Sequence, residues 1–159
     1  MLFDYNYWAN TRVLDAAASI TLDQFIAPAS LSHGSVRGTL AHVLAAETVW
    51  RLRCAQGVSP AALPDESYFP TLGVLRERWQ VEEEKMREYL NGLTDGALQQ
   101  TIEYRTTKGV PYQNVLWMLL VHIVNHGTQF RSEAAVALTN FGQSPGDLDL
   151  LRYLREKAI

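Results

Sequence analysis

Apolar residues recur at helical spacing through most of the chain, and four long stretches carry the period. The first covers residues 2 to 20, where Phe3, Tyr7, Val13, Leu14, Ala17 and Ala18 supply one stripe, interrupted by Asn6, Trp8 and Asn10. Thr21 with Gln24 forms a capping-box pair and predicts a short helical turn through Phe25. A loop with Pro28 and Ser30-Leu31-Ser32-His33-Gly34 follows. Ser35 is placed to cap a second long helix that runs to Gln56 and stops at Gly57. Its apolar positions are Val36, Leu40, Val43, Leu44, Trp50 and Cys54, with His42 beside the stripe.

After a proline- and alanine-rich loop, the period returns from about Thr71 to Leu90. Leu72, Leu75, Trp79, Met86, Tyr89 and Leu90 form the dry face there, and Glu82-Glu83-Glu84-Lys85 the wet one. Around Lys108-Gly109, between Thr101 and Tyr112, β-branched and aromatic residues predict a small hairpin. A fourth long helix is expected from Gln113 or Asn114 to Gly142, and a last short one from Ser144-Pro145-Gly146-Asp147, burying Leu148, Leu151, Tyr153 and Leu154. The pattern predicts one all-α domain over residues 1–159: an up-down-type four-helix bundle with a short extra C-terminal helix and a minor β-hairpin.

Composition narrows the function classes. The 159 residues carry a net charge of −3, and their basic residues are scattered, which gives nucleic acid no binding stripe. The apolar run from Val115 to Val124 is short of the ~20 residues a membrane span needs, and the N-terminus lacks the form of a signal peptide. A lone Cys54, read as a buried thiol, fits a reducing compartment, so a cytoplasmic location is expected.

Candidate chemistry concentrates on the fourth long helix. At about 100° per residue, His122, His126, Gln129, Phe130 and Glu133 share one band, while Leu116, Ile123, Gly127 and Ala134 form the core side. His122 and His126 are one turn apart and within reach of one metal ion. A hydrogen-bonded bundle histidine explains each of them as well, and His33 in its glycine-serine loop reads as an ordinary loop residue. Trp8, Trp50, Trp79 and Trp117 read as core.

Four stretches resemble the DinB family of helical-bundle proteins. They are Phe3-Asp4-Tyr5-Asn6-Tyr7-Trp8-Ala9-Asn10, Ser35 through Glu47 with Trp50, Leu120 through Glu133, and Gly142 through Asp149. The resemblance implies a divalent ion, zinc or nickel, held by three histidines at one end of the bundle. His42 and His126 match two of them, and the third ligand position is Phe130, whose side chain coordinates nothing. Three outcomes are open: His122 replaces the missing ligand, with the ion about 5 Å nearer the helix N-terminus; Gln129 or water completes a weakened site; or no metal binds. The resemblance also implies a homodimer and chemistry like that of thiol-dependent S-transferases or hydrolases, with a low-molecular-weight thiol as partner. Glu47 and Asn125 are candidates for orienting the ligands, and Trp8, Trp50 and Phe130 for an aromatic mouth.

Overall fold

The computed structural model describes residues 1–157 and contains seven α-helices and one two-stranded antiparallel sheet. The four long helices are α1 (Leu2–Ala17), α3 (Val36–Gln56), α4 (Leu72–Asn91) and α6 (Leu116–Asn140). Short helices α2 (Leu22–Ile26), α5 (Asp95–Leu98) and α7 (Leu150–Glu156) lie between or after them, and β1 (Thr101–Arg105) pairs with β2 (Pro111–Val115). Helix α6 packs on α1 and α3, and α4 packs on the same two helices. The expected four-helix bundle with a terminal helix and a hairpin is the fold.

Burial explains why α3 sits at the centre. Val36, Leu40, Ala41, Val43, Leu44, Ala45, Ala46 and Val49 are all buried, so this helix is dry nearly all round. Its start is fixed by Ser35, whose Oγ accepts the Gly38 amide at 2.8 Å. At one end of the bundle, Val13, Leu14, Leu40, Leu75, Trp79 and Leu138 form the largest apolar cluster; Tyr7, Met86, Leu116, Leu120 and Ile123 form another.

Several boundaries differ from the sequence expectation, each for a local reason. Helix α1 ends at Ala17 rather than residue 20, because the next residues form a turn leading to the Thr21 capping box of α2. Helix α6 starts at Leu116 rather than Gln113 or Asn114. Residues 113–115 belong to the ladder instead, in the register Thr101↔Val115, and strand β2 runs straight into the helix. Helix α6 ends at Asn140, ahead of Gly142. Helix α7 begins only at Leu150: Ser144 and Asp147 cap turns on Gly146 and Asp149, and Asp149 is the helix cap. Leu151 then faces solvent instead of the core, and Tyr153 is the buried anchor.

The wet face of α4 also needs correction. Glu82 is buried and takes both guanidinium arms of Arg51 from α3, the second at 2.9 Å. Trp117 is exposed at the start of α6 rather than in the core.

Candidate metal centre

All four histidines of the chain form one file across the α3–α6 seam. The file begins in the loop before α3. Gly38 has no side chain where the His33 carbonyl passes: a Cβ there would lie 2.1 Å from that oxygen. The close approach holds the loop down, and Glu133 on α6 fixes it from the other side by accepting from the Ser32 amide and hydroxyl at 2.9 and 2.8 Å. His33 thereby stacks on His42, with ring centres 3.7 Å apart and planes 19° from parallel.

The centre of the file is the pair His42 and His126, contributed by α3 and α6. Their Nε2 atoms are 3.2 Å apart, hydrogen-bond distance, so one neutral imidazole donates and the other accepts. Burial, reinforced for His42 by His33 and for His126 by His42, lowers both pKa values to about 4. Both rings are therefore neutral at pH 7, the form that binds metal. Phe130 lies against the pair, 4.6 Å from each ring centre.

His122 is the far end of the file. Its ring centre is 5.7 Å from that of His126, and it packs edgewise on Trp50 at 5.0 Å. Beside it a cleft of about 470 Å³ opens under the hairpin, lined by His42, His126, His122, Trp50, Arg53 and Tyr104 among others. His42, His122 and His126, singled out from sequence, thus share one cleft. Gln129 is exposed and makes no hydrogen bond to a histidine, and Glu133 serves the loop. Of the proposed aromatic mouth, Trp50 lines the cleft and Phe130 packs behind it, whereas Trp8 lies elsewhere, against Tyr5 and Tyr153.

The two candidate orienting residues act differently from expectation. Asn125 is exposed, and Glu47 is buried in a separate polar network. Arg131, 1% exposed, donates from one nitrogen to Asn6 Oδ1 and to Asn10 Oδ1 at 2.7 Å, while Asn6 donates to Glu47 at 3.3 Å. Gly127 makes room for this guanidinium, since a Cβ there would lie 2.6 Å from its Nη1. The two asparagines that interrupt the first apolar stripe were the visible sign of this network. His33 carried no such sign, because its place depends on a contact five residues away.

With this geometry in place, the comparison with protein families is decisive: the model of the DinB family matches residues 1–158. The chain belongs to the DinB family. No curated protein matches it. In this DinB-family chain, Phe130 stands where the resemblance places a third histidine ligand. Among the described residues no three His, Cys, Asp or Glu side chains converge as a metal-holding group, so the donor set that does converge is the His42–His126 pair. Among those residues, too, no helix is long and apolar enough to cross a membrane.

Proposed function

We propose that this DinB-family protein is a divalent-metal-dependent transferase or hydrolase acting on a small molecule, with a low-molecular-weight thiol as co-substrate. The ion, zinc or nickel, is held by His42 and His126. The observation that carries this reading is the 3.2 Å separation of the two neutral Nε2 atoms, each on a different helix. Two imidazoles sharing one tetrahedral ion at ~2.0–2.1 Å have nitrogens about 3.3 Å apart, so the pair fits such an ion without rebuilding the bundle. A bound ion of this kind polarises a substrate and lowers the pKa of a thiol. The protein's own part is to keep both imidazoles neutral, to close one side with Phe130 and to leave the other open to the cleft beside His122. Two histidines hold an ion less tightly than three, and His122 is near enough to His126 to serve as the third after a side-chain rotation.

A second reading, a bundle that binds a small ligand without metal, is supported by Phe130 itself. Its packing seals the ligand position, and the two imidazoles satisfy one another. Metal analysis of the purified chain and zinc titration against a chromophoric chelator separate the two. The metal-dependent reading expects one ion per chain, loss of binding in His126→Ala, and binding tightened roughly tenfold or more in Phe130→His. A wild type that takes no metal, beside a Phe130→His variant that does, would establish the second reading. The homodimer and the cytoplasmic location implied by family resemblance and composition belong to the same proposal, and light scattering checks the first.

A further inference from the structure

Arg53 presents an unbalanced charge. It lines the histidine cleft from α3 and is 7% exposed, yet no carboxylate among the described residues pairs with it. Its guanidinium lies over Trp50 at 4.6 Å and over Tyr104 of β1 at 5.3 Å. One arm donates to the Arg105 carbonyl at 2.9 Å, and the buried Nε has no hydrogen-bond partner. The other deeply buried arginines are compensated: Arg51 by Glu82, and Arg131 by two asparagines with Glu47 close by. Burying a cation without a counter-charge is costly, and proteins do it where something else completes the pair.

The cleft supplies the space for that something else. Among the described residues, no aspartate or glutamate lines it, and Arg53 is its one arginine or lysine. Trp50, Tyr104 and Tyr112 give it flat apolar walls, and the Thr107 side chain adds a polar group at the hairpin. We propose that the cleft binds a small carboxylate-bearing molecule, with the carboxylate on Arg53 and the body against Trp50 and Tyr104. This places the opposite end of the ligand toward His122 and His126. The inference rests on reading the cleft as the reaction site, and it does not require that a metal be bound.

The test compares two probes of the same shape, 3-phenylpropionate and 3-phenylpropan-1-ol, on the full chain after chelator treatment, by calorimetry. The acid is expected to bind about tenfold more tightly than the alcohol, as a charge-assisted contact to a buried arginine should. Added salt should shrink the preference. Arg53→Gln should erase it and Arg53→Lys should keep part of it, with thermal unfolding of both variants as the check on folding. Equal binding of the two probes by the wild type, no binding of either, or a folded Arg53→Gln that still prefers the acid overturns the proposal. If Arg53→Gln does not fold, the wild-type comparison and its salt dependence still decide. The zinc titration is read separately. A chain that discriminates the probes and takes no zinc overturns only the metal reading, and a chain that takes zinc without discriminating overturns only this one.

Discussion

At the scale of single residues, two glycines do more for the site than their lack of chemistry suggests. Gly38→Ala would press a methyl group into the His33 carbonyl, and the backbone there also accepts from the Ser35 amide at 2.9 Å. The loop must lift, so we expect a cost of about 2–4 kcal/mol in urea unfolding and a changed environment of the His42 ring by NMR. A variant as stable as the wild type would mean that the loop does not rest on α3. Gly127→Ala meets the end of the Arg131 side chain and, at 2.9 Å, Asn6 Oδ1; these are side-chain atoms rather than backbone, but they are pinned to one another, so a smaller loss of about 1–3 kcal/mol is expected. Neither constraint is visible in a hydrophobic pattern, because each depends on a missing side chain beside polar atoms. Glu47 adds a pH signature. Burial raises its pKa from 4.5 to about 7, against the pull of Arg131. The folded state therefore holds its proton more tightly than the unfolded state, and this contribution is complete below about 4.5 and lost as pH rises through about 7. His42 and His126, with lowered pKa values, act in the opposite direction as pH falls from 6.5 to about 4. The measurement is thus the difference between wild type and Glu47→Gln: the wild type should lose stability relative to the variant as pH rises from 4.5 to about 7, and a flat difference would remove Glu47 as a buried acid.

Whole elements were more legible than their contacts. The capping residues Thr21 and Ser35 were readable because a cap is a local bond, and both act as caps. The hairpin was readable too, but not that its second strand would run on to Val115, since pairing with Thr101 decides that and not the intrinsic preference of residues 113–115. Glu82 shows the same limit on α4. Within Glu82-Glu83-Glu84-Lys85 nothing distinguishes the first acid, and only the neighbouring α3 makes it a buried partner of Arg51. The energetic consequence is specific. Glu82→Ala leaves a buried guanidinium unpaired and should cost about 3–5 kcal/mol, whereas the double replacement Arg51→Met with Glu82→Leu removes both charges and should return to within about 1 kcal/mol of the wild type. Urea unfolding of the three proteins checks this, and a double variant as unstable as the single one would show that the pair itself holds α3 to α4.

At the scale of the molecule, the helical period identified the bundle, and the residues along α6 identified the face on which His122 and His126 line one cleft. What no local pattern contains is that position 42 meets position 126 across a sequence separation of 84. That separation would confine the proposed metal binding to the folded chain. In the unfolded chain the two histidines are far apart, and a second ligand must be recruited against the entropy of closing a long loop. An ion that prefers the folded state stabilises it by mass action, by about 2.7 kcal/mol at a hundred times its dissociation constant. For a domain of this size, that corresponds to a rise of roughly 5–10 °C in the unfolding midpoint. Zinc or nickel added to the chelator-treated protein should therefore raise the midpoint in proportion to the logarithm of its concentration, and excess chelator should reverse the rise. His42→Ala and His126→Ala should each abolish it, because either change breaks the pair that joins α3 to α6. His33→Ala should leave most of it, since His33 is stacked flat on His42 and, among the described residues, no third His, Cys, Asp or Glu joins a metal-holding group. If His33→Ala removed the whole rise while His126→Ala did not, the ion would sit at the loop end of the file, on His33 and His42, rather than between α3 and α6.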